Sequence, residues 1–290
     1  PAQRILLAGI GKKENITKDT IRLISGKIAQ KARELKLKEF SIIAPPSFVT
    51  EQISSVSQIV EGSKMALYKF DKFKTEKTDE STDLTIIVSK SNKVSQAIKT
   101  AIIVADGTIF TKSIANLPPN ECTPSTLANF AKIISKKNKM KCNIISKSEL
   151  KKRGFGGITA VGQGSKNEPK LIVLEHNRGS RNEKPIVLVG KAVTFDTGGI
   201  SLKSGEKMDE MKFDKCGGCT VLGIMKAVSE LKLPINVVGI IPSVENMPGG
   251  ESYRPGDIIK LYNGKTAEIL NTDAEGRLIL ADALSYGERK

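Results

Sequence analysis

Asp273-Ala274-Glu275-Gly276-Arg277 follows an apolar segment near the end of the chain. If the backbone stays extended there, residues 273, 275 and 277 point the same way. Two carboxylates then share a face with a guanidinium. Like charges crowded together are unfavourable unless a cation offsets them. Upstream, Val189-Gly190-Lys191-Ala192-Val193-Thr194-Phe195-Asp196-Thr197-Gly198-Gly199 is an apolar strand running into a glycine-rich turn, with Lys191 and Asp196 near its end. Lys203 follows, then Asp214 just before a small-residue helix. Open α/β sheets place their ligands at strand ends. Four carboxylates without a histidine favour a hard or borderline divalent cation, and four are enough for two. The competing reading is a set of unrelated solvated charges, and spacing alone leaves the two level.

Other candidates carry less. Gly9-Ile10-Gly11 has Glu14, and Gly162-Gln163-Gly164 has Asn167, where a phosphate loop needs its third glycine. Gly264-Lys265-Thr266 has Ile259 where such a loop begins with glycine. All three read as turns. Cys216-Gly217-Gly218-Cys219 has the spacing of a redox pair or half a zinc site. Small-residue packing at a helix start is the better reading, because Cys122 and Cys142 complete no pattern. The one histidine, His176, ends a strand and reads as a surface residue. One histidine excludes most Ser-His and Cys-His machinery unless His176 itself takes part.

The elements that must carry these residues alternate. Arg4–Ala8 reads as a strand and 18–35 as a helix, with Ile21, Leu23, Ile24, Ile28 and Ala32 near helical spacing. Strands follow at 40–44, stopped by Pro45 and Pro46, and at 84–88, then a helix over 93–111. This order predicts a mostly parallel or mixed sheet flanked by helices. Asn116-Leu117-Pro118-Pro119-Asn120 breaks the pattern, because neither proline can donate an N–H. Thr123 then reads as an N-cap with Pro124 at the first helical position. The spacing predicts further strands at 142–145, 157–161, 171–175 and 186–189. It predicts a helix over 217–231, strands at 236–241, 258–261 and 267–270, and a last helix from about Gly276. The fold class expected is α/β: a smaller N-terminal α/β domain over 1–110 ending in a linker helix, and a larger α/β catalytic domain over 111–290. Both ends read as cut, so that the catalytic domain is incomplete at its C-terminus.

Composition narrows the partners. The chain has 290 residues, 39% of them hydrophobic and 27% charged, which suits a globular core. Its apolar stretches, such as Ile235–Ile241, fall far short of the roughly 18 residues of a membrane span. Four cysteines are no disulfide scaffold, and with no secretory leader in view a cytoplasmic location is expected. The formal charge is +15. Residues 1–200 hold 34 basic against 18 acidic residues, and residues 201–290 hold 12 against 13. The excess lies in helix-like lysine-rich segments and reads first as a solvated surface. A patch that tracks the phosphates of DNA is the alternative. Few aromatics interleave with the lysines, which argues against a base-stacking platform.

Residues 189–199, Met208–Asp214, Glu245-Asn246-Met247-Pro248, Tyr253-Arg254-Pro255-Gly256-Asp257 and Asn271-Thr272-Asp273-Ala274-Glu275-Gly276-Arg277-Leu278 resemble the cytosolic leucyl aminopeptidase family. The octet at 271–278 is that family's signature. The likeness is dense over 186–286, looser over 112–185, and before 110 rests on element order. It implies a two-metal peptidase that removes N-terminal residues, leucine and other mainly apolar ones, from peptides with a free N-terminus. It implies Asp196 and Glu275 as bridging ligands, Lys191 and Asp214 completing one metal site, and Asp273 completing the other. Lys203 would polarise the scissile carbonyl or stabilise the gem-diolate. Arg277 would hold a bicarbonate acting as general base, in a chain whose histidine is badly placed for that role. The resemblance further implies manganese, zinc or magnesium as the metal, a homo-hexamer, and in some members DNA binding as an accessory function. An amine ligates a cation only when neutral, so burial beside an apolar strand is expected to lower the pKa of Lys191.

Overall fold

The computed structural model describes residues 4–43, 52–76, 82–88 and 91–290. The chain divides into two compact units after Ile109. In the first, Lys18–Glu34 forms helix α1, opened by a reciprocal pair of hydrogen bonds. The Thr17 hydroxyl accepts from the Thr20 N–H, and the Thr20 hydroxyl accepts from the Thr17 N–H, each at 3.2 Å. Strand β1 (Glu39–Ile43) pairs in parallel with β2 (Asp83–Ile87), with Ile43 opposite Ile87. Helix α2 (Gln52–Leu67) lies between them in the chain, as a parallel crossover requires, and α3 (Asn92–Ala115) follows. Ile42, Val56, Ile59 and Val94 are the buried centre of this unit, with Ile21, Ile28, Phe40 and Leu84 packed around it.

Two sequence expectations change here. Arg4–Ala8 forms no strand. Ile5 and Leu7 are 83% and 90% exposed, so the apolar run has neither a ladder nor a core to join. Helix α2 has no counterpart among the expected elements, because its serines, at Ser54, Ser55, Ser57 and Ser63, mask its apolar spacing. The proline stop at Pro45 and Pro46 lies outside the described residues, with Ala44.

The second unit opens on the last turns of α3 and continues into α4 (Pro124–Asn138), capped by Thr123 with Pro124 at the first position, as expected. Then come β3 (Lys141–Ile145), α5 (Lys147–Lys152), α6 (Gly156–Gly162), β4 (Lys170–Asn177), β5 (Ile186–Val189) and β6 (Ala192–Asp196). A 3-10 segment, Met208–Lys215, leads into α7 (Cys216–Glu230), and β7 (Asn236–Asn246), β8 (Ile258–Lys260) and β9 (Thr266–Glu268) follow. A 3-10 turn, Thr272–Ala274, leads directly into α8 (Glu275–Gly287).

β7 is the axis of the mixed five-stranded sheet. It is almost wholly buried and uncharged but for Glu245, as a strand covered on both faces should be. β4 lies antiparallel on one side of it and β3 antiparallel beyond. β5 and β6 lie parallel on its other side. They keep one register: Val189 faces Ile240 and Ala192 faces Ser243. They are one strand interrupted at Gly190-Lys191, with a bulge before Asp196. The core beneath gathers Phe155, Ile158, Leu171, Val193, Ile240 and Ile279.

The expected strand at 157–161 is α6 instead. A short buried apolar run has no period that separates strand from helix. Tertiary contacts decide it: the buried Asp282 carboxylate on α8 accepts the Ile158 N–H at 2.9 Å, fixing the start of the helix. A Cβ at Gly157 would lie 2.5 Å from the Leu278 carbonyl, so only glycine lets the two helices close.

Candidate active site

The interruption between β5 and β6 is where the site begins. The Lys191 carbonyl accepts from Gly218 N–H, in the first turn of α7, at 2.7 Å. The strand is thereby pinned to a helix start. The Lys191 side chain runs toward α8, where Gly276 leaves it room; a Cβ there would lie 2.8 Å from both Cε and Nζ. Its ammonium sits 2.8 Å from Asp214 Oδ1 and 2.7 Å from Glu275 Oε1. Asp214 comes from the 3-10 segment and Glu275 opens α8, where unpaired N–H groups favour a negative charge.

Asp196 ends β6 beyond the bulge. Its Oδ1 accepts from Gly198 N–H at 2.9 Å and from the Asn246 amide at 2.8 Å. Gly198 and Gly199 both have positive φ, so the chain doubles back and brings Lys203 to Asp196 Oδ2 at 3.1 Å. Lys203 also pairs with Asp273. The Asn271 side chain accepts from Asp273 N–H at 2.8 Å and caps the 3-10 turn that presents Asp273. Asp196 thus stands between the two groups: its carboxylate lies near those of Asp214 and Glu275, which hold Lys191, and it shares Lys203 with Asp273.

Carboxylate oxygens of Asp196, Asp214 and Glu275 lie within 4.8 Å of one another. Asp214 Oδ2, Asp273 Oδ1 and Glu275 Oε1 are buried without a hydrogen bond, the last two ion-paired but off the direction of a good one. Burial raises the pKa of Asp214, and of Glu275, against the pull of Lys191. Hard oxygen donors, crowded, buried and short of partners, fit a divalent cation. They are the residues whose spacing suggested one.

Three expectations need correction. The backbone at 273–277 is not extended: it passes from a 3-10 turn into α8. Helical rotation, about 100° per residue, sets Arg277 about 200° from Glu275. Arg277 is exposed, with no hydrogen bond or ion pair to a described residue, so the structure does not bring it to the carboxylates. His176 is buried, not on the surface, and its Nε2 lies 2.9 Å from the Leu233 carbonyl. Burial does work to lower the pKa of Lys191, but Asp214 and Glu275 outweigh it, and the amine is held above its ordinary value. Lys203 is raised likewise, against burial, by Asp273 and Asp196.

Sequence reasoning assigned no role to Asn246, Tyr253 or Thr272. Asn246 ends the buried strand β7 and bonds Asp196; the Thr272 hydroxyl accepts from Ser201 N–H at 2.8 Å and donates to the Gly198 carbonyl at 2.6 Å. The available signal was a polar amide closing an apolar strand. Cys216 and Cys219 are free thiols at the start of α7, with Cys219 buried, in keeping with packing.

An α/β sheet with carboxylates and lysines gathered at a strand end defines a protein with a candidate cation site. Residues 109–290 match the family model "Cytosol aminopeptidase family, catalytic domain", and residues 1–77 match its N-terminal domain. The chain belongs to the cytosol aminopeptidase family. A probable cytosol aminopeptidase of Cenarchaeum symbiosum (strain A) is 59% identical over 290 residues, which is 100% of this chain and 59% of that protein. Its counterpart in Methylobacillus flagellatus is 42% identical over 99% of this chain and 60% of its own length. Among solved structures, the bottromycin maturation enzyme BotP in complex with Mn has a TM-score of 0.88 at 28% identity, over 97% of this chain and 60% of that one. The chain thus spans about three fifths of these relatives' length.

Proposed function

We propose that the full-length protein is a metalloaminopeptidase that hydrolyses the N-terminal residue, leucine or another mainly apolar one, from peptides with a free N-terminus. The observation that carries this reading is the set of buried oxygens from Asp196, Asp214 and Glu275, flanked by Lys191 and Lys203, in a chain of this family. Asp196 and Glu275 would bridge two divalent cations, Lys191 and Asp214 would complete one site, and Asp273 the other. Manganese is the first metal to test, because the solved relative BotP is in complex with Mn. Zinc and magnesium suit the same donors. When bound, the cations supply Lewis acidity, which lowers the pKa of a water and offsets charge on the tetrahedral oxyanion.

The chain's own residues do the rest. Lys191 would give up its proton to solvent to become a donor. Lys203 pairs with Asp196 and Asp273 and sits beside the carboxylates. From that place its ammonium would donate to the scissile carbonyl and stabilise the oxyanion. The part given to Arg277, holding a bicarbonate as general base, rests on the 271–278 motif alone. Assembly as a homo-hexamer rests on family membership.

The test is hydrolysis of leucine amide by the full-length protein, before and after chelation, with Mn²⁺ added back. Activity should vanish on chelation, return with Mn²⁺, and be lost when the substrate is an N-acetylated peptide. Undiminished cleavage of the acetylated peptide would overturn the exopeptidase reading.

A further inference from the structure

Asn246 closes β7 and is completely buried. Its Nδ2 donates to Asp196 Oδ1 at 2.8 Å and to the Thr272 carbonyl at 3.1 Å. Both partners are acceptors, so the amide orientation is fixed: turned over, its oxygen would face two others. Its own Oδ1 has no hydrogen bond and faces the Gly198-Gly199 turn, where a Cβ on Gly199 would stand 2.8 Å away. A buried amide oxygen left unpaired costs free energy that packing alone gives no reason to spend. Tyr253, also buried, donates its hydroxyl to the same Thr272 carbonyl at 2.6 Å.

These contacts have a directional consequence. Asp196 Oδ1 takes two N–H donors, from Asn246 and Gly198, which leaves Oδ2 as the oxygen turned to Lys203. The carboxylate cannot rotate without breaking both bonds. The Thr272 carbonyl is likewise filled by two donors, so the peptide that leads into Asp273 is held in place. One amide therefore ties the carboxylate at the end of β6 to the backbone that presents Asp273.

We propose that Asn246 and Tyr253 are positioning residues for the cation site, setting the orientation of Asp196 and the placement of Asp273 before any cation arrives. The inference rests on the metalloaminopeptidase reading above. Groups that orient metal ligands in this way typically account for 10- to 100-fold in metal affinity.

The experiment titrates Mn²⁺ calorimetrically into chelator-treated full-length wild type, Asn246→Ala and Tyr253→Phe, with circular dichroism and thermal unfolding of each metal-free protein. Asn246→Ala should weaken Mn²⁺ binding about tenfold or more, and Tyr253→Phe, which keeps the ring, severalfold. A merely structural role would lower the melting temperature while the folded protein bound Mn²⁺ as before, and that result in Asn246→Ala overturns the proposal. Should Asn246→Ala fail to fold, Tyr253→Phe decides by the same criterion. Absence of Mn²⁺ binding in wild type would bring down the underlying reading and the inference with it, whereas binding in wild type equalled by both variants brings down the inference alone.

Discussion

Lys191 shows how a side chain can be read correctly for place and wrongly for charge. The glycine-flanked break in an apolar strand pointed to the position. The carboxylates that hold its proton come from segments far along the chain, and only their convergence shows that they outweigh burial. Ligation then requires displacing a tightly held proton, so metal and proton compete for one nitrogen. Mn²⁺ uptake should release protons, and affinity should fall as pH falls, more steeply than carboxylates alone would cause. Lys191→Arg, which stays charged, should bind Mn²⁺ worse than Lys191→Met, which is neutral and of similar size. Equal affinity of the Arg variant and wild type in a pH series of titrations would remove Lys191 from the ligand set. Gly276 gives an independent check. In Gly276→Ala the new methyl falls on the flexible end of Lys191, not on backbone, so the fold should survive and α8 gain up to about 1 kcal/mol of helix propensity. Mn²⁺ affinity should nevertheless drop severalfold. A variant that is destabilised, with its affinity unchanged, would contradict the cradle assigned to Gly276.

Elements in the second unit are held by a few polar contacts that no local pattern announces. Asp282, fully buried on α8, accepts from Ile158 N–H at the start of α6 and from Tyr262 N–H after β8. It joins three elements far apart in sequence, which is why an apolar run at 157–161 could be taken for a strand. Asp282→Ala would leave two backbone N–H groups without an acceptor and should cost about 2–5 kcal/mol, read by urea unfolding. A loss below about 1 kcal/mol would mean that α6 starts without it. Burial also raises the pKa of this carboxyl. The ionised form is thus disfavoured in the folded protein. Its penalty is present at neutral pH and relieved as pH falls through the folded pKa toward the unfolded value. Asp282→Asn should flatten that part of the stability–pH curve, and a curve that keeps its slope would assign it elsewhere.

Across the molecule, what the sequence disclosed follows how local each signal is. Thr123-Pro124 fixed the start of α4, because a cap is written within three residues. The strands of the second unit were legible as short apolar runs between turn residues. Arg4–Ala8 misled because strand formation needs a partner that residue type does not encode. The carboxylates and lysines of the site were identifiable by type, but their grouping around Asp196 depends on the one-register β5–β6 path and on the turn at Gly198-Gly199. The predicted face shared with Arg277 failed because two residues of helix turn it away. The basic excess has a plain counterpart. Lys27 and Lys31 on α1, and Lys132, Lys136 and Lys137 on α4, are exposed, opposite buried Ala29, Ala32, Ala128 and Ala131. No helix among the described residues is long and apolar enough to cross a membrane. The most direct test of the cation site is the number of metals per chain in full-length protein dialysed against Mn²⁺, measured by elemental analysis for wild type and Glu275→Gln. Two per chain in wild type and fewer than two in Glu275→Gln is the result expected; two in both, or none in wild type, would contradict the two-cation site proposed for Asp196 and Glu275.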